Sequence, residues 1–421
     1  MLRAAGALAL AGSVCGCSAH RDPPASAPVA HEAWEYRTKE PIIGGPLTSD
    51  DLVWVRTTSR LHAVDASSGR RRWVAAVPPA PSALAAPVAS GGLVIVLSEN
   101  ETGARVHALS RSTGRMRWSA PLRPAIGRAR ASSGPVVVGG RCFAAFGDGS
   151  VAGVELEAGR GLPPTLTDLR ATDGAAQLVA GGSRVFAVPG TADGAGSTLV
   201  AAAAGPPGAA LWRTWVRADR ATLLGVADGA LLISTLATVA DPGSDEPGPV
   251  TRLMGLQATT GRTRWQHVLP LPGPSVRNGA DRAAALGGSV VGVVDAWGVA
   301  GVLPATGRLL WRQHLDASAT TAVTGRPAGA ATDRIFLMGE DGAVTALSAA
   351  TGRPVWRRSG QRSTVAPVLA CGTGADYVAE AGGTLLALTV PHLGGPGSRP
   401  DATRFAVRRP ASPTCLCRTS A

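Results

Sequence analysis

Six cysteines, seven histidines and two asparagines are the scarce residues from which this chain of 421 could build a reactive or metal-binding site. Cys142 and Cys371 each stand alone in an apolar run. They read as buried thiols, with a mutual bridge as the alternative in an oxidising compartment. The tail pair Cys415-Leu416-Cys417 lacks the C-x-x-C-H spacing that attaches haem. His20, His31, His62, His107, His267, His314 and His392 are scattered, and His31-Glu32 has no second histidine one helical turn on, so a zinc-protease site is not expected. Asn100 and Asn278 are the only asparagines, which leaves few neutral oxygen ligands for calcium. Asp295, just before Trp297, and Asp148, in Gly147-Asp148-Gly149, could supply carboxylates but read as hairpin turns.

Arginine is the residue with a pattern. Lys+Arg number 41 against 29 Asp+Glu, a formal net charge of +12, and Lys39 is the sole lysine. Arg70, Arg115, Arg262, Arg308 and Arg353 each follow a glycine at the same place in a repeat, so they should ring one face of the fold. Such a face could dock an anionic partner, a lipid headgroup or a wall polymer; the alternative is a solvated rim. The other arginines are spread along the chain, and Arg70-Arg71-Arg72 is too short for a nucleic-acid arm. Hydrophobic residues make up 45% and charged residues 17%, enough to bury a large core. No apolar run is long enough for a spanning helix.

The N-terminus carries a different signal. Arg3 precedes the small apolar stretch Ala4–Gly12, the form of an export signal. The following Val14-Cys15-Gly16-Cys17 resembles the bacterial lipoprotein signal, which implies cleavage before Cys17 and its lipidation. An ordinary secretory signal is the alternative. Residues 18–31, rich in Pro, Ala and Ser, read as an extended tether.

What must position any site is a repeat. LHAVDASSGRRRW (Leu61–Trp73), VHALSRSTGRMRW (Val106–Trp118), MGLQATTGRTRW (Met254–Trp265), VAGVLPATGRLLW (Val299–Trp311) and VTALSAATGRPVW (Val344–Trp356) share one pattern. Glycine precedes tryptophan by four in Gly69/Trp73, Gly114/Trp118, Gly261/Trp265, Gly307/Trp311 and Gly352/Trp356, and in a degenerate copy, Gly208/Trp212. A further copy, Val151–Pro163, has proline at the tryptophan place. Glycine permits the positive φ of a tight turn, the preceding Thr113, Thr260, Thr306 and Thr351 can bond the turn's own backbone, and tryptophan can lie on a neighbouring unit.

Each unit spans about 45 residues and reads as four short strands, the period of a propeller blade. Fourth strands fall at Trp34, Trp73, Trp118, Pro163, Trp212, Trp265, Trp311 and Trp356. Trp34 has no hairpin before it, and the last unit, with strands at Val365–Leu369, Asp376–Glu380 and Thr384–Val390, has no fourth strand. The two halves complete one another. The expected fold is all-β: an eight-bladed propeller of four-stranded blades, closed by pairing the two ends of the chain. The expected organisation is a signal peptide at 1–16, a lipidated tether at 17–31, a propeller at 32–392 and a disordered tail at 393–421.

This unit resembles the tryptophan-docking repeat of quinoprotein (PQQ-like) β-propellers, over most of residues 32–390; WD40 propellers are the structural competitor. Asp65 keeps that family's acidic residue, replaced by Ser110, Gln257, Leu303 and Ser348 elsewhere. The resemblance implies one of two branches. One is PQQ-dependent alcohol or sugar dehydrogenases, which use PQQ with calcium, a general-base Asp and a vicinal Cys-Cys pair; this chain has no Cys-Cys. The other is non-catalytic propellers, including an outer-membrane assembly lipoprotein and sensor domains. The preferred expectation is an exported, lipid-anchored, monomeric scaffold without cofactor, metal or catalysis. It would meet an envelope protein partner and no nucleic acid. The alternatives are the dehydrogenase and an extracytoplasmic ligand-sensing module.

Overall fold

A computed structural model describes residues 28–389, apart from 50, 82–85, 102, 126, 128, 166–176, 189–196, 204–210, 240–247, 270–283, 288–289, 296–297, 314–321, 325–333, 339–342, 361–367, 373 and 381. Its described elements are β-strands, in eight antiparallel four-stranded sheets. Blade 1 holds Ile42–Thr48, Leu52–Thr57, Arg60–Asp65 and Arg71–Ala76, in sequence order. Blades 2 to 7 repeat that order, and span 88–121, 136–165, 177–216, 220–269, 284–313 and 322–358. Blade 8 differs. Its first three strands are Val368–Cys371, Asp376–Glu380 and Thr384–Thr389, and its fourth is His31–Arg37 from the other end of the chain. Trp34 sits opposite Ala387, and the Thr38 amide and hydroxyl both donate to the Gly383 carbonyl. The ring is closed as the sequence predicts.

Eight apolar clusters lie between successive blades, and the last joins blade 8 back to blade 1 through Tyr377, Leu385, Ile42 and Val53. This explains why the strands read as unbroken apolar runs. In Leu93–Asn100, Val94 and Val96 pack on blade 1 while Ile95 and Leu97 pack on blade 3. A strand buried on both faces has no polar side to alternate with. First strands of neighbouring blades touch one another and so line the axis; fourth strands form the outside.

Of the expected strand Val365–Leu369, the described part falls within Val368–Cys371, and 365–367 lie outside the described residues. Cys17, Gly208 and the segments 1–27 and 390–421 lie outside the described residues.

Candidate functional site

The turn between the third and fourth strands is the repeated local structure. In six blades the glycine amide donates to the carbonyl four residues back, for example Gly69 to Asp65 and Gly352 to Ser348. Each of Gly69, Gly114, Gly159, Gly261, Gly307 and Gly352 has φ between +66° and +72°. Thr113, Thr260, Thr306 and Thr351 accept the amide of the arginine two residues on, at 3.3–3.4 Å. That fixes the arginine's place at the mouth of each turn.

The turn is also a receptor for tryptophan. Trp34, Trp73, Trp118, Trp212, Trp265 and Trp311 donate through Nε1 to a turn carbonyl of the next blade, at 2.7–3.2 Å. Each ring lies where a Cβ would stand on that blade's glycine. Within its own blade the tryptophan faces a small residue, Ala63 for Trp73 and Gly301 for Trp311. One extra residue before the tryptophan makes a bulge, such as Arg72 between Arg71 and Trp73. A bulge increases local twist and turns the ring toward the neighbour. Trp356 departs from this pattern. Blade 8 has no such turn, so the ring is fully buried and Nε1 donates to Asp376 Oδ2 at 2.6 Å. Where blade 3 has Pro163, the corresponding turn of blade 4 lies outside the described residues.

Arg70, Arg115, Arg262, Arg308 and Arg353 are all exposed, and among the described residues none is in an ion pair. The sequence reading missed a sixth equivalent, Arg160, which pairs with Glu155 at 2.6 Å. Glu155 is a second acidic residue at the place of Asp65. Asp65 accepts from the hydroxyls and amides of Ser67 and Ser68 and pairs with Arg72. The Ser67 and Ser68 bonds, with Arg72 after them, hold its carboxyl well below the usual carboxylate range.

The residues with reactive chemistry are dispersed and occupied. Tyr36 and His62 Nδ1 hydrogen-bond at 2.9 Å; Ser98 and His107 Nε2 do so at 2.6 Å. Both histidines are buried, and burial lowers the affinity of each for a proton, that of His107 to about 4. Arg56 went unnoticed in the sequence. It is wholly buried between blades 1 and 2, and gives its guanidinium to the carbonyls of Leu97 and Pro78. Burial brings its pKa down to about 10. Nothing in the repeat pattern marks this position. Cys142 and Cys371 are buried in different blades and not bridged to one another, and burial pushes the Cys142 thiol up to about 12. Asp148 caps its own hairpin by accepting the amide and hydroxyl of Ser150.

Among the described residues no three His, Cys, Asp or Glu side chains come together as metal ligands. The eight first strands that line the axis contain no Asp or Glu. Among the described residues, these strands therefore offer a calcium ion no carboxylate. The outside is different. Trp215, on the fourth strand of blade 4, is 75% exposed, with Leu211 beside that strand at 50%.

Ring closure, turn and tryptophan dock together define a closed β-propeller of PQQ-like repeats. The chain belongs to the family described as outer membrane protein assembly factor BamB, whose model matches residues 27–192, 164–327 and 295–391. Among solved structures it is similar to BamB from Moraxella catarrhalis, at 17% identity and a TM-score of 0.55, covering 87% of this chain and 99% of that one. It is also similar to the computationally designed Ika8 protein, at 14% identity and 0.60, covering 84% and 98%. Quinohemoprotein alcohol dehydrogenase from Comamonas testosteroni is another, at 14% and 0.55, covering 85% and 76%. At these identities the likeness is one of fold. No curated protein matches the sequence.

Proposed function

We propose that the protein is an exported propeller, anchored by lipid on Cys17, that binds an envelope protein and serves as a scaffold without catalysing a reaction. The observation carrying this reading is the contrast between axis and periphery. The described axial strands bear no carboxylate, while the outside offers an exposed tryptophan and a set of exposed arginines with no ion pair among the described residues. An exposed aromatic beside an aliphatic residue is the kind of anchor that dominates protein interfaces. The matching family's description, an outer-membrane assembly factor, supports an envelope setting. Arg70, Arg115, Arg262, Arg308 and Arg353 form the face for an anionic partner.

Crosslinking in intact cells, then capture of the full chain and mass spectrometry of what comes with it, tests the reading. A small set of envelope proteins should be captured by the native chain and lost from Trp215→Glu. Labelled palmitate should enter the native chain and not Cys17→Ser. Adding PQQ with calcium should leave the melting temperature unchanged and give no dye reduction with alcohols or sugars. A melting shift together with dye turnover would establish the dehydrogenase instead.

A further inference from the structure

We infer that the arginine-bearing end of the propeller is the end that faces, and touches, an anionic lipid bilayer. The inference rests on the anchored reading above and adds an orientation and a lipid class to it.

The first ground is topology. In blades 1 to 7 the third strand runs toward the turn that leads into the fourth, and in six of them the described turn carries an arginine at the same place. In blade 8 the third strand runs the same way, from Thr384 to Thr389, and no turn follows. Instead His31 lies opposite Thr389. Both chain ends therefore leave the ring at the end where the arginine turns stand. The entering segment also pairs with blade 7: the Ala30 amide donates to the Arg357 carbonyl at 3.0 Å, and the Arg357 amide to the Pro28 carbonyl at 2.9 Å.

Charge is the second ground. Five arginines of this end are exposed without an ion pair among the described residues. The 32 residues after Thr389 start from the same end, and in sequence they carry five arginines, Arg399, Arg404, Arg408, Arg409 and Arg418, against one acid, Asp401. Basic groups next to a membrane anchor are attracted to anionic headgroups within about one Debye length. Reach is the third ground. The eleven residues from Cys17 to Pro28 extend at most about 40 Å and enter the ring at this end, so the path from a lipid on Cys17 is shorter to this end than to the far one.

The test is vesicle flotation of the full chain carrying Cys17→Ser, so that the outcome does not depend on lipidation. Vesicles containing phosphatidylglycerol should bind it, pure phosphatidylcholine should not, and salt should weaken binding. Changing Arg70, Arg115, Arg262, Arg308 and Arg353 together to Gln should cost more than about tenfold in vesicle affinity, since each basic group near the surface is worth roughly fivefold. The matched control changes Arg37, Arg60, Arg123, Arg130 and Arg217, exposed residues of the opposite end, and should leave affinity within about twofold. Near-ultraviolet circular dichroism verifies that both variants stay folded. Equal losses in the two variants would overturn the orientation, leaving net charge alone as the cause. Binding to soluble polyphosphate or wall polymer with no binding to phosphatidylglycerol vesicles would overturn the lipid assignment. The anchor is judged separately by palmitate labelling, so either idea can fail alone.

Discussion

Gly114 carries two constraints at one atom. Its φ is +69°, and a Cβ there would stand 2.5 Å from the Trp73 ring. Gly114→Ala should therefore destabilise the protein by about 2 kcal/mol or more, from backbone strain and displaced ring together. In a double-mutant cycle with Trp73→Ala, measured by denaturant unfolding, the two losses should sum to less than their separate values, because removing the ring frees the space. His107 gives a pH prediction. It is 3% exposed, and burial first, then Arg105 and Arg56, lowers its pKa from 6.5 to about 4. Below pH 6.5 the unfolded chain takes up a proton that the folded chain refuses until about 4. Stability should be flat above pH 6.5 from this group and fall as pH drops through that window, by on the order of 3 kcal/mol. His107→Gln should remove that slope in unfolding curves taken across the window. At this scale the sequence was partly readable. The glycines and tryptophans stood out because one geometry recurs six times. Arg56 and the Asp376 contact of Trp356 did not, since each is made once, by residues distant in the chain.

A fourth strand succeeds as an element because three local features coincide: a bulge before the tryptophan, a small residue opposite it and a left-handed glycine on the next blade. Only the glycine is visible as a spacing. The bulge is a register shift, which appears once the partner strand is known. Pro163 shows how far one feature can be lost, since blade 3 still forms its fourth strand, Gly161–Thr165, without the ring. His31–Arg37 is the element on which closure depends. Deleting residues 28–37 should expose the Thr384–Thr389 edge and yield dimers or larger species by size-exclusion chromatography with light scattering. A peptide of residues 28–37 added in excess should return the truncated chain to monomer.

The molecule as a whole is a loop of eight equivalent contacts, each blade resting on two neighbours. Weakening any blade should therefore weaken all. Gly114→Ala in blade 2 and Gly307→Ala in blade 6 should each lower the same single thermal transition by several degrees; two separate transitions by calorimetry would contradict this. The fold was readable at this scale because repetition averages out local ambiguity, whereas the partner was not, because binding depends on the single rather than the repeated side chains. The fastening of His31–Arg37 against Thr384–Thr389 also has a meaning in time. Of the described strands, the first to be synthesised waits for the last. A product cut short before residue 384 should keep His31–Arg37 without its partner, an open border that should make such fragments quicker to be digested than the closed ring.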